Sequence, residues 1–135
     1  WVNDTYWLLM PYKLENPGVH VSYAGKTKVG TSEDDTLHLT FGKVGLTPGD
    51  QYWVCVSPAT GLVDRWTYHL QGHQKGTWNW IDWQRYGGIM LSPKRTRVDG
   101  KGELDLADIK VFDQLPDSVF ASPKAVPAAD APPAP

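Results

Sequence analysis

The stretch Arg65-Trp66-Thr67-Tyr68-His69-Leu70 alternates between polar and apolar side chains. Two earlier stretches, Val19-His20-Val21-Ser22-Tyr23 and Leu37-His38-Leu39-Thr40-Phe41, show the same alternation. Because successive side chains of a strand point to opposite faces of a sheet, each stretch gathers its apolar residues on one face. The pattern therefore predicts an antiparallel sheet with one apolar face and one wet face.

Further segments rich in β-branched and aromatic residues predict additional strands. These segments are residues 5–10, 51–57, 77–85, 89–98 and 103–112. The turn cluster Ser57-Pro58-Ala59-Thr60-Gly61 and the pair Asp99-Gly100 indicate hairpins. Frequent Gly and Pro exclude long helices. We therefore predict an all-β, mainly antiparallel fold, a curved meander sheet or half-open barrel of about eight strands.

The composition fits one domain followed by a tail. The chain has 135 residues, of which 41% are hydrophobic and 21% charged, which suffices for one core and not for two typical domains. From Ser122 onward the sequence consists of Ala and Pro with scattered charge, and such a segment buries too little apolar area to offset its ordering entropy. We predict a β half-barrel domain over residues 1–121 and a disordered tail over residues 122–135.

Charge and cysteine content exclude several classes of partner. The formal net charge is -2, whereas nucleic-acid binders usually carry a clustered excess of Lys and Arg, so we expect no nucleic-acid partner. The single cysteine, Cys55, cannot form a disulfide within the chain. The histidines lack the spacing of a recognised metal-binding set, so no metal and no cofactor are predicted.

Catalytic motifs are also absent from the sequence pattern. No Gly-x-Ser-x-Gly elbow occurs, and no nucleophile, base and orienting group stand at a familiar spacing. Gly25-Lys26-Thr27 looks like the end of a phosphate-binding loop, but His20 occupies the position of its first glycine. The sequence therefore favours a protein that is not an enzyme.

Four segments carry a family resemblance: NDTYWLLMPYKL (3–14), VGLTPGDQYW (44–53), TGLVDRW (60–66) and WQRYGGI (83–89). Together they resemble the C-terminal part of a family of uncharacterised bacterial envelope proteins, related in fold to the outer-membrane lipoprotein carrier LolA. The resemblance implies a half-open barrel with helices lying across a concave face that, in the carriers, shelters acyl chains. It also implies an exported protein of the periplasm or cell envelope, whose signal peptide, N-terminal strands and covering helices would precede Trp1.

The predicted apolar face needs a cover. Nine side chains would share it, and leaving them in water would cost roughly 10 to 20 kcal/mol, comparable with the net stability of a domain. The cover would be the curled sheet itself, a second copy of the chain, the missing N-terminal segment, or a lipid. The nine are Val19, Val21, Tyr23, Leu37, Leu39, Phe41, Trp66, Tyr68 and Leu70.

Three functions follow from this face. The first is a non-catalytic envelope protein that binds a lipid, a lipoprotein acyl chain or another apolar ligand on the concave face, with peripheral membrane contact. The second is a carbohydrate-binding module that uses exposed Trp78, Trp80 or Trp83 as stacking platforms. The third is a structural module that forms a homodimer through its apolar face. The candidate ligand-binding residues are Tyr23, Leu39, Phe41, Trp66, Tyr68, Leu70, Trp78 and Trp80.

Overall fold

A short helix precedes nine strands in the computed structural model, which describes residues 2–121. The helix α1 (Val2–Leu9) continues into a 3-10 turn (Met10–Lys13), and a second 3-10 turn (Asp117–Val119) lies near the end. The strands are β1 (Val19–Val29), β2 (Ser32–Phe41), β3 (Gln51–Val56), β4 (Val63–His69), β5 (Lys75–Ile81), β6 (Gln84–Tyr86), β7 (Ile89–Leu91), β8 (Lys94–Arg97) and β9 (Glu103–Asp105). The predicted tail, residues 122–135, lies outside the described residues.

Seven of the strands form one antiparallel sheet in the order β1-β2-β3-β4-β5-β8-β9. The other two, β6 and β7, pair as a separate hairpin inserted between β5 and β8. The sheet is open, with β1 at one edge and β9 at the other. The predicted fold class, a mainly antiparallel meander that is not a closed barrel, is confirmed.

The strand register gathers the alternating residues as predicted. Val21 pairs with Leu39, Leu39 with Tyr52, and Tyr52 with Tyr68, so one row of side chains crosses four strands on the same face. A parallel row runs from Leu37 through Val54 and Trp66 to Trp78. We call this side of the sheet the apolar face and the opposite side the polar face.

The strand predicted over residues 5–10 is wrong, because this segment is helical. The apolar residues Tyr6, Trp7, Met10 and Leu14 recur at helical rather than alternating spacing, and all four pack into the core. Pro11 ends the α-helix, because a proline disfavours helical geometry in the residue before it and lacks its own backbone N–H. The aromatic content of this segment predicts a strand, but the segment forms a helix because only helical spacing buries these four side chains on one side.

Three other predicted strands are shorter than expected. The segment 77–85 is divided at Asp82, whose φ is 58°, and the segment 103–112 ends as a strand at Asp105, three residues before Asp108, whose φ is 54°. A left-handed residue takes the backbone out of the extended conformation that pairing requires. The segment 89–98 is divided at Ser92-Pro93, since proline cannot donate to a ladder.

The helix α1 lies across the apolar face, so the expectation that this chain lacks a covering helix is wrong. The Trp7 ring packs edge-on against Trp66 at 4.6 Å and against Trp78 at 5.2 Å. Tyr6 reaches Tyr52 at 5.5 Å between ring centroids. Part of strand β1 is left uncovered, because Val21 is 44% exposed and Tyr23 is 63% exposed.

Candidate functional site

The eight predicted ligand-binding residues occupy one face of the sheet but differ in exposure. Leu39, Trp66 and Trp80 are 1%, 3% and 2% exposed and belong to the closed core. Tyr23 lies at the uncovered edge. The remaining four, Phe41, Tyr68, Leu70 and Trp78, are half-buried. The face is therefore divided along the strand direction into a closed end, around Trp80, and an open end, around Phe41 and Leu70.

A buried arginine seals the closed end. Arg95 is 0% exposed, and its guanidinium lies over the Trp80 ring, 3.6 Å from the ring centroid. One terminal nitrogen donates to the Ser92 carbonyl, to the Ser92 hydroxyl at 2.9 Å and to the Lys94 carbonyl at 3.1 Å. The other donates to the Trp7 carbonyl of α1 at 2.7 Å. Arg95 thus joins the covering helix to the far end of the sheet.

The charge of Arg95 is not balanced by an ion pair among residues 2–121. Burial lowers the pKa of Arg95 to about 9, which leaves the guanidinium charged at neutral pH. Neutral carbonyls and an aromatic ring provide the stabilisation instead, as expected for a cation over the face of an indole. Arg95 lines neither of the two cavities described below.

A cavity of about 420 Å³ occupies the open end. It lies between α1, the ends of β2 and β4, the start of β3 and the loop that follows β2. That loop carries Leu46, which is 81% exposed, and Val44, which packs against the backbone of Gly18. The volume of this cavity is within the usual range for small-molecule sites. The lining residues are Tyr6, Phe41, Val44, Gly45, Leu46, Thr47, Asp50, Tyr52 and Leu70.

A buried carboxylate borders this mostly apolar cavity. Asp50 is 5% exposed. One carboxylate oxygen accepts hydrogen bonds from the Thr47 hydroxyl at 2.6 Å and the Tyr52 hydroxyl at 3.1 Å, and the other accepts from the Gln71 backbone N–H at 2.9 Å. Burial, and then the nearby Asp50 charge, raise the pKa of both Tyr6 and Tyr52. Both phenols therefore remain neutral, and the Tyr52 hydroxyl donates to Asp50.

A second cavity of about 520 Å³ adjoins the first. The two cavities share Thr47, Asp50 and Leu70, while the second extends toward Gln71, Gly72 and Gln74. The second cavity has Gln71, Gly72 and Gln74 where the first has rings and aliphatic side chains. Asp50 lies where the two cavities meet.

The cavity of about 420 Å³ is lined by two of the ligand-binding residues predicted from sequence, Phe41 and Leu70. Sequence reasoning missed Tyr6, Val44, Leu46, Asp50 and Tyr52. For Tyr52 a signal existed, because it shares strand parity with Val54 and pairs with Leu39. The loop residues show no periodicity that could have marked them.

The tryptophans proposed as sugar platforms are not flat exposed rings. Trp80 is 2% exposed beneath Arg95, so its assignment as an exposed platform is wrong. Trp78 and Trp83 are half-buried, and the Trp83 indole donates to the Val63 carbonyl at 2.9 Å. Sugar stacking requires an open ring face, which buried edge packing removes.

The polar face carries an aromatic stack of its own. Trp53 lies parallel to His38 at 4.6 Å and tilted against His69 at 4.6 Å.

Within residues 2–121 no group of three or more His, Cys, Asp and Glu side chains is arranged to hold a metal ion. None of the helices that the structure describes is long and apolar enough to span a bilayer.

Comparison with known proteins gave matches in structure alone. No family model and no curated protein sequence matches the chain. Among the solved structures, a DUF1329 family protein from Desulfovibrio piger matches 76% of this chain and 45% of its own length, with 16% identity and a TM-score of 0.56. A LolA superfamily protein from Nitrosomonas europaea matches 78% of this chain and 50% of its own length, with 17% identity and a TM-score of 0.56.

The fold is LolA-like. A third structure, a domain described as an outer-membrane lipoprotein-sorting protein from Vibrio parahaemolyticus, has 13% identity and a TM-score of 0.54 over 76% of this chain and 46% of its own. The chain thus spans about half the length of these structures. The resemblance inferred from the sequence segments is confirmed at the level of fold, and at these identities it concerns the fold alone.

Proposed function

We propose that this LolA-like chain is a non-catalytic protein of the periplasm or cell envelope that binds a lipid, a lipoprotein acyl chain or another apolar ligand on its apolar face. The observation that carries the proposal is the cavity of about 420 Å³ at the open end, between α1 and the loop after β2. Ring and aliphatic groups dominate its lining, which suits hydrocarbon rather than a polar substrate. The lipoprotein-sorting description of one structural neighbour supports the same class of ligand.

Exposed apolar side chains on the apolar face and in the loop after β2 support contact with an apolar partner on this side of the molecule. Leu46, at 81% exposure, forms part of the cavity lining. Val21 and Tyr23 continue the apolar face beyond the cover of α1. Uncovered apolar groups of this kind are typical of surfaces that meet an apolar partner. Peripheral contact with a membrane would use this side of the molecule.

The test is uptake of the neutral fluorescent probe N-phenyl-1-naphthylamine, together with mass spectrometry of gently purified protein for bound lipid. Leu46→Asp places a charge in the cavity lining and should weaken probe binding about tenfold, equivalent to about 1.4 kcal/mol. Val98→Asp is the matched control, because Val98 is 48% exposed and lies beside Thr67 and Thr77 on the polar face. Absence of both bound lipid and probe uptake, or equal loss in the two variants, would overturn the proposal.

A further inference from the structure

The Asp50 carboxylate carries a net charge that the described residues do not neutralise. Its three hydrogen-bond donors, the Thr47 and Tyr52 hydroxyls and the Gln71 N–H, are all neutral groups. None of the ion pairs among residues 2–121 includes Asp50. Neutral donors stabilise an anion but leave its charge in place, and a low-dielectric surrounding extends the reach of that charge.

Asp50 also retains the capacity to accept another hydrogen bond. A carboxylate offers about four acceptor positions, and three are filled here. The free position belongs to the oxygen that accepts from Gln71, since the other oxygen already accepts two hydroxyl groups. Because Asp50 lines both adjoining cavities, a ligand in either can approach this group.

Aromatic rings beside Asp50 add a second attraction for positive charge. Tyr6 and Tyr52 stand 5.5 Å apart between centroids, and Phe41 packs edge-on against Tyr52 at 5.5 Å. All three line the same cavity as Asp50. The face of an aromatic ring attracts cations, and aromatic cages bind quaternary ammonium groups by this means. A carboxylate together with several rings is therefore complementary to an ammonium group.

We propose that the open end of the apolar face recognises the ammonium group of a cationic amphiphile, whose hydrocarbon part lies in the cavity of about 420 Å³. The ammonium group meets Asp50 at the boundary between the two cavities, and polar substituents of the head group extend toward Gln71 and Gln74. An anionic head group in the same place is repelled by Asp50. This inference rests on the proposed function, because it assigns a head group to the apolar ligand.

The test compares two amphiphiles of equal chain length, dodecylammonium and dodecyl maltoside, below their micellar concentrations. Each is titrated against the bound neutral probe in the whole chain. We expect the cationic amphiphile to bind about tenfold more tightly than the neutral one, with a preference that shrinks as salt is added. Equal affinities would overturn the inference while leaving the proposed function standing. Failure of both amphiphiles and of the probe to bind would overturn the proposed function as well.

Two variants locate the preference. Asp50→Asn removes the charge and should reduce the affinity ratio from about ten to about one. Asp117→Asn makes the same change in net charge at an exposed site outside the cavity lining and should leave the ratio intact. A ratio unchanged in Asp50→Asn would contradict the inference.

If Asp50→Asn proves unfolded, Tyr6→Leu replaces one ring by an aliphatic group of the same cavity. It should lower the ratio by weakening the attraction of the rings for the cation. A ratio that survives this change would likewise contradict the inference.

Discussion

The two ends of the apolar face each bury a charged side chain, and they treat it in opposite ways. At the closed end, Arg95 donates to backbone carbonyls and a hydroxyl, lies over the Trp80 ring and lines neither of the two cavities at the open end. At the open end, Asp50 accepts from neutral donors and borders two cavities. The comparison shows how one sheet face can hold its helix firmly at one end while the other end stays open to a ligand.

The largest effect should come from breaking the closed end. Arg95→Ala removes the hydrogen bonds that the guanidinium donates to the Trp7, Ser92 and Lys94 carbonyls and opens a void beside Trp80, so the free energy of unfolding should fall by about 3 kcal/mol. Urea unfolding followed by tryptophan fluorescence measures it.

Arg97→Ala is the control, because Arg97 also stands over a tryptophan but pairs with the exposed Asp99. Its effect should stay below about 1 kcal/mol. Equal losses in the two variants would refute the role of Arg95 as the seal of the closed end.

A smaller effect should come from disturbing the open end. The φ of Gly18 is +83°, and a Cβ there would lie 2.5 Å from a methyl carbon of Val44, so Gly18→Ala must move the loop that lines the cavity. We expect a loss of about 2 kcal/mol in the free energy of unfolding and weaker binding of the neutral probe.

Gly30→Ala separates backbone strain from this clash. The φ of Gly30 is +60°, and a Cβ there would meet nothing within 4 Å. Strain alone should cost about 1 kcal/mol and leave probe binding as it was. If Gly18→Ala leaves probe binding as tight as Gly30→Ala does, the loop does not shape the cavity.

The smallest change in the free energy of unfolding should come from replacing Asp64, which lies away from both ends at the bulge where β4 pairs with β3. Burial, followed by the neighbouring Asp34 carboxylate, raises the pKa of Asp64. The folded protein therefore holds this proton more tightly than the unfolded chain, and the associated stability is present at low pH and lost as the pH rises through the raised pKa.

Asp64→Asn removes this titration from both states. The variant should be more stable than the unsubstituted chain at about pH 7, by less than about 1 kcal/mol, and the difference should vanish below about pH 4. Unfolding curves at the two pH values measure it. A variant that is less stable than the unsubstituted chain at about pH 7 would mean that the pKa of Asp64 is lowered instead.

The sheet could be predicted from sequence because strand parity determines which face a residue occupies. The alternation in β1, β2 and β4 placed their apolar residues correctly, and the turn signals at Gly61 and Gly100 mark hairpins that the structure contains. Short-range geometry was sufficient for these features. It failed at Asp82 and Asp108, whose left-handed backbone has no equivalent in hydrophobic pattern.

The site could be predicted in part. Phe41 and Leu70, which line the cavity, lie in alternating stretches that predict them as ligand-binding residues, whereas Tyr6 lies in a segment whose aromatic content predicts a strand and which forms a helix. Val44, Leu46 and Asp50 come from an irregular loop, and their position depends on packing against distant residues such as Gly18 and Gln71. Tertiary contacts of this kind leave no period in the sequence.

The indole rings under and around α1 form a connected series. Trp7 touches Trp66 at 4.6 Å and Trp78 at 5.2 Å, and Trp66 reaches Trp80 at 6.0 Å. Rings fixed this closely couple their electronic transitions, so the near-ultraviolet circular dichroism of the protein reports the seating of Trp7 directly. A ligand that displaces the helix would change the near-ultraviolet circular dichroism spectrum. Ligand binding to the unmodified chain could therefore be followed without a label.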